Sequence, residues 1–197
     1  MVYFNNIREI YRRMSVAAMK AERCPSEVRL IAVTKSVGAD IIMKGVESGL
    51  RELGESRVQA AHEKIIQLGP VLAGSKVVWH LIGHLQKNKA KTAVGLFDLI
   101  HSVDSLGLAE IINRHAAEAG KVQKVLLQVK LAEEESKTGV SKEEALNVLE
   151  KMAVMRNLDV RGLMTIPPFS EDPESARPYF RELRKLKKKS LELAGLF

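Results

Sequence analysis

From residue 28 onward the chain alternates short apolar, β-branched runs with longer stretches in which apolar residues recur every three or four positions. The short runs predict strands at 28–33, 51–54, 77–82, 99–103, 124–129 and 160–164. The longer stretches predict helices at 40–48, 57–68, 88–95, 106–119 and 142–155. A last helix is expected from about 177 to 193, on the stripe Tyr179, Leu183, Leu186, Leu191 and Leu193. Pro178 fits its first turn, where a missing N–H costs nothing. Ahead of these elements, Ile7, Ile10, Tyr11 and Met14 form one stripe of an amphipathic helix over about 5–21, expected to pack on the outside of the strands and helices after it. Six strand–helix pairs with near-continuous apolar strands predict a parallel sheet covered by helices. No G-x-G-x-x-G turn follows any strand, so the pattern favours an α/β fold of the TIM-type (β/α) barrel class over a dinucleotide-binding sheet. With no Pro/Ser-rich linker and no low-complexity tract, residues 1–197 read as one domain.

Composition narrows the function classes. The 46% hydrophobic and 28% charged content is that of a globular chain with a substantial core. No window reaches the roughly 18 apolar residues of a membrane span, and the first residues lack the order of a secretory signal. The expectation is a soluble, cytoplasmic protein with no membrane partner. The single cysteine, Cys24, precedes Pro25 and has no partner for an internal disulfide. A net charge of +7 raises nucleic-acid binding as a function. The densest basic run, Lys185, Lys187, Lys188 and Lys189, lies within the last helical stripe and reads as a solvated helix face. With 5% aromatics and no known module, no specific nucleic-acid partner is expected.

In parallel α/β folds, chemistry gathers where strands end and loops begin. The strand ends here carry Thr34-Lys35-Ser36, Gly54-Glu55-Ser56-Arg57, His80 to Gln86, His101 to Asp104, Lys130 onward, and Met164 to Pro168. Lys35 follows the apolar run Leu30 to Val33, which places its stem in the barrel mouth and its amine toward the cavity. Partial desolvation there would favour the neutral amine that attacks an aldehyde. His80 and His84 invite a metal reading, but four residues of strand span about 13 Å, too far for one ion, and no metal is expected. Ser102 and Asp104 near His101 look like a hydrolase set by composition only, because near neighbours on one strand end point in different directions. Glu133 to Gly139 reads as a polar loop.

Several of these segments, in this order and spacing, resemble the pyridoxal phosphate homeostasis family. They are L-I-A-V-T-K ending at Lys35, L-G-E-S-R-V-Q from Leu53, W-H-L-I-G-H-L-Q-K-N-K from Trp79, H-S-V-D-S from His101, S-K-T-G from Ser136 and G-L-M-T-I-P-P from Gly162. The resemblance implies a barrel like the alanine racemase N-terminal domain. It also implies pyridoxal 5′-phosphate held as a Schiff base on Lys35, and a role in vitamin B6 homeostasis without established turnover. The alternative is a racemase-like enzyme. Ser56, His80, Ser102 and Met164 are expected to line the cofactor pocket with Lys35. Ser56 and Lys130 stand where the family usually has Asn, and Ser56 is shorter. The family continues beyond the last residues here with a serine- and glycine-rich loop and an R-x-G segment. The expectation is therefore a barrel lacking its last two strands, monomeric unless a partner or a second copy closes it. No phosphate-binding residue is carried over.

Overall fold

The computed structural model describes residues 2–132 and 138–194. Helix α1 (Val2–Lys20) leads through a short turn to β1 (Ile31–Val33), α2 (Ala39–Glu47), β2 (Glu52–Glu55), α3 (Val58–Leu72) and β3 (Val78–Leu81). Then come α4 (Ala90–Leu96), β4 (Leu99–Val103), α5 (Leu106–Glu118), β5 (Gln123–Lys130), β6 (Val140–Ser141), α6 (Ala145–Ala153), β7 (Leu158–Met164) and α7 (Arg177–Ala194). The main sheet runs β1-β2-β3-β4-β5-β7 with every pairing parallel, and β6 joins only the last two residues of β5. This is the strand order of an α/β barrel wall. Among the described residues β1 pairs only with β2, and β7 only with β5.

Strand alternation sorts the sheet into two faces. Leu53, Leu81, Ile100, Val125 and Leu127 are buried on the outer face against Ala61, Leu68, Ala93, Val94, Leu108, Ile112 and Met152 from the helices. Small alanines at Ala61, Ala90, Ala93, Ala109 and Ala116 are fully buried, letting the helices lie close on the sheet. Each buried leucine contributes about 1.5–3 kcal/mol through removal of its side chain from water. The inner face carries Glu52, Gly54, Val78, His80 and His101, an unusually polar set for the interior of a wall. Two register shifts modify the alternation: one in β4 between Ile100 and Val103, one in β7 opposite Val125 and Leu126. The first returns Val103 to the outer face, fully buried, beside Leu127.

Differences from the sequence reading have local causes. The first strand begins at Ile31 rather than residue 28, because the ladder to β2 starts at the Ile31–Glu52 pair; Val28 is extended but unladdered. Helix α3 runs on through Pro70 to Leu72, four residues past its expected end. The carbonyl that the proline ring leaves unbonded belongs to the exposed Ile66, in water's reach. In α7, Pro178 occupies the first turn as expected, and the buried stripe is Leu183, Leu186 and Ser190, with Leu191 turned out. Lys185, Lys188 and Lys189 are exposed. No described helix is long and apolar enough to cross a membrane.

Candidate functional site

Because the main strands are parallel, their carboxyl ends share one rim. Lys35 sits on it in a tight turn after β1, where the Val37 N–H donates to the Thr34 carbonyl at 3.0 Å. Its side chain is exposed, which corrects the expectation of a stem buried in a barrel mouth. Among the described residues β1 has a neighbour on one side only, which leaves Val33, the residue before Thr34, 50% exposed.

The residue before the lysine is held hard. Buried Thr34 donates its N–H to the Gly54 carbonyl (2.8 Å) and its hydroxyl to Oε1 of Glu55 (2.7 Å). Lys64, reaching in from α3, donates to the Thr34 carbonyl (2.5 Å) and to the same Glu55 oxygen (2.7 Å). Glu55 is fully buried, and its Oε2 has no hydrogen-bond partner. An ion pair between α3 and β2 thus clamps the peptide that presents Lys35.

Farther along the rim, Ser56 follows β2 and Gly83 follows β3. A Cβ on Gly83 would collide with the Ser56 carbonyl oxygen, so only glycine allows this approach of two backbones. The buried Ser102 of β4 donates its hydroxyl to the Gly83 carbonyl at 2.6 Å. Ser56 and Ser102 are therefore brought together through Gly83, tying three successive strand ends. Half-buried Ser56 opens on a cleft of about 440 Å³ that Arg57, Gln59, His84, Gln86 and Lys89 also line. Half-buried Met164 ends β7 opposite Gln128 of β5, across the sheet from Lys35. Of the polar loop 133–139, residues 133–137 lie outside the described residues.

His80 lies deeper, 3% exposed, with both ring nitrogens engaged by protein. Its Nε2 is 2.6 Å from Oε2 of Glu52, and its Nδ1 is 2.8 Å from Nε2 of His101. It therefore has no ring nitrogen left for a ligand. His101 does: among the described residues its Nδ1 has no bonded partner, and it is not one of the orphaned buried atoms. Burial, followed by the nearby charge of His80, pushes His101 down to about 4, so it is neutral near pH 7. His84 is exposed and pairs with Asp104 at 3.1 Å, well separated in role from His80. Among the described residues no cluster of three metal-binding side chains occurs.

Glu52, His101, Glu55 and Lys64 were not among the expected site residues. The first two were traceable in principle. Strand alternation puts His80 and His101 on the face opposite Leu81 and Ile100, and Glu52 opposite Leu53. Nothing in the sequence identifies Lys64 as the partner of Glu55.

Residues 6–195 match the family model described as alanine racemase, N-terminal domain. The chain is 38% identical, over 92% of its length and 78% of the relative's, to the pyridoxal phosphate homeostasis protein of Aquifex aeolicus. The Escherichia coli K12 protein of the same name is 32% identical over 98% of this chain and 79% of its own. Among solved structures, PipY of Synechococcus elongatus with pyridoxal phosphate bound superposes with a TM-score of 0.80 at 36% identity, covering 91% of this chain and 82% of that one. An alanine racemase of Clostridium difficile, 17% identical with a TM-score of 0.69 over 86% of this chain and 44% of its own, shares the fold. The chain belongs to the pyridoxal phosphate homeostasis protein family, built on the barrel of the alanine racemase N-terminal domain.

Proposed function

We propose that this chain binds pyridoxal 5′-phosphate as a Schiff base on Lys35 and serves vitamin B6 homeostasis as a carrier rather than as a catalyst. The observation that carries this reading is the presentation of Lys35: an exposed amine at the carboxyl end of β1, on a peptide clamped by Thr34, Glu55 and Lys64. The name and bound ligand of the relatives supply the cofactor's identity.

The donor set suits such a group. An aldehyde needs an accessible amine, which Lys35 offers. A heteroaromatic ring needs polar partners above a packed floor. Ser56 and the ring nitrogen of His101 are candidate partners, and the Gly83 contact keeps the two loops beside them rigid. Ser102 shapes the rim through the Gly83 carbonyl, His80 acts through His101, and Met164 supplies an apolar wall. Ser56 carries one hydroxyl and reaches less far than an asparagine.

Pyridoxal phosphate, when bound, supplies an electrophilic carbon and an electron-withdrawing ring. Lys35 would hold the group through its amine, the aldehyde oxygen departing as water. Capture here depends on the accessibility and position of the Lys35 amine. Turnover of amino acids further requires a proton donor and acceptor on opposite faces of the substrate. Among the described residues His101 is the one buried imidazole with a ring nitrogen that has no protein partner.

The test is to mix protein with pyridoxal phosphate, reduce with borohydride and map the labelled peptide. Label on Lys35, lost in Lys35→Ala, is the expected result; label on another lysine with Lys35→Ala unchanged in absorbance overturns the assignment. Turnover in a broad amino-acid panel by cofactor-loaded protein would overturn the carrier role in favour of a racemase-like enzyme.

A further inference from the structure

The inner face of the sheet holds a continuous hydrogen-bonded line across three strands: Glu52 of β2, His80 of β3 and His101 of β4. Its chemistry fixes its direction. Glu52 accepts at both oxygens, from Arg29 at 3.4 Å through Oε1 and from His80 at 2.6 Å through Oε2. A carboxylate only accepts, so His80 must carry its proton on Nε2. In its neutral form His80 has a lone pair on Nδ1, 2.8 Å from Nε2 of His101, and His101 then donates from Nε2. The remaining Nδ1 of His101 is then left unprotonated, with no partner among the described residues.

We infer that Glu52 is a positioning residue which, through His80, fixes His101 as its Nε2–H tautomer and makes Nδ1 of His101 a hydrogen-bond acceptor for a donor group on the bound ligand. The ligand half of this inference rests on the cofactor reading above; the tautomer half rests on the three side chains alone.

The arrangement is built rather than incidental. Two imidazoles meeting edge to face, with ring centroids 5.0 Å apart and planes at 61°, exchange one proton's worth of hydrogen bonding and cannot both choose tautomers freely. Burial of His80 and His101 removes water as an alternative partner for the shared link. Without an acceptor-only group at the far end, the line could run in either direction, and His101 would offer a donor as readily as an acceptor. A ligand atom that carries hydrogen is held by one direction and repelled by the other. Glu52, two strands away from His101, thereby selects the chemical character of an inner-face atom that it does not touch.

The test begins with unliganded protein carrying ¹⁵N-labelled histidine, observed by long-range ¹H–¹⁵N correlation at about pH 8, above the ordinary imidazole range. Single Nε2–H tautomers are expected for both His80 and His101. In Glu52→Gln, where the end group is of equal size but can donate or accept, a mixture of tautomers or a reversed pair is expected at both rings. An Nδ1–H form of His101 in the unsubstituted protein overturns the inference without recourse to any variant. So does a Glu52→Gln spectrum with both tautomers unchanged.

A second arm uses pyridoxal phosphate itself. The absorbance of the bound cofactor, followed against pH, is expected to titrate differently in Glu52→Gln than in the unsubstituted protein. Tautomers that change while the bound chromophore does not move overturn the ligand half alone. Failure of any chromophore to form overturns the cofactor reading, and the ligand half with it, while the NMR result on the empty protein stands by itself.

Discussion

At the scale of single residues, His101 gives the most direct handle on stability. Folded, it takes up a proton only near about 4, whereas the unfolded chain has the ordinary histidine value of 6.5. Between those values the unfolded chain binds a proton that the folded one refuses, so stability falls as pH drops through the window and is fully present above it. The size is about 3 kcal/mol for a shift of this extent. Urea unfolding at a series of pH values should show this loss, and His101→Gln should remove most of the slope between about pH 6.5 and 4. An equal slope in both proteins would mean that His101 is not the group responsible. The sequence makes the strand-end position of Lys35 legible, since L-I-A-V-T-K marks a strand and its exit. It does not make legible that His80 is spoken for by Glu52 and His101, because partners 28 and 21 residues away depend on sheet register. Exposure of Lys35 is likewise a property of which strands flank β1, and no local pattern encodes that.

Among the elements, the hinge of the site is the contact between α3 and the β1–β2 pair. Lys64 holds two groups at once, the Thr34 carbonyl and the Glu55 carboxylate, and Glu55 is buried with one oxygen already unpartnered. Removing the ammonium leaves a buried charge without compensation, which costs on the order of 3–5 kcal/mol. Lys64→Met should therefore lower stability by that order in urea unfolding, and Glu55→Gln added to it should recover part of the loss. Full additivity of the two substitutions would show that the pair is not coupled. Pyridoxal phosphate capture by Lys64→Met, measured as the rate of chromophore formation, should also slow, because the Thr34–Lys35 peptide loses a restraint. At this scale the sequence was informative. All six main strands and all seven helices fall where periodicity puts them, since each apolar strand must meet helices on its outer face. What periodicity missed was β6, two residues long and below the length at which alternation is visible, and the passage of α3 through Pro70, which an exposed final turn tolerates.

For the whole molecule, the pattern of neighbours predicts a gradient of local stability running along the sheet. β4 and β5 have ladders on both sides and fully buried outer-face residues at Ile100, Val125 and Leu127. Among the described residues β7 has one neighbour but a long ladder, six register pairs with β5. β1 has, among the described residues, one neighbour and three register pairs, and its Val33 is half exposed. Opening β1 thus exposes little apolar surface and breaks few backbone hydrogen bonds, so it belongs to the low-stability end of the molecule. Amide hydrogen exchange followed by mass spectrometry should show peptides over 31–37 exchanging well before those over 99–103 and 123–130. The site spans this gradient, because Lys35 hangs from the least stable strand whereas Ser102 and His101 belong to one of the most stable. A ligand held at both places can bind only when β1 is docked, so binding must slow the opening of β1 by mass action. Addition of pyridoxal phosphate should raise protection over 31–37 more than elsewhere, and Lys35→Ala should abolish most of that gain while leaving exchange in β4 and β5 unaltered. Uniform protection across the sheet, or a gain confined to β4, would instead mean that the cofactor is held without the help of β1.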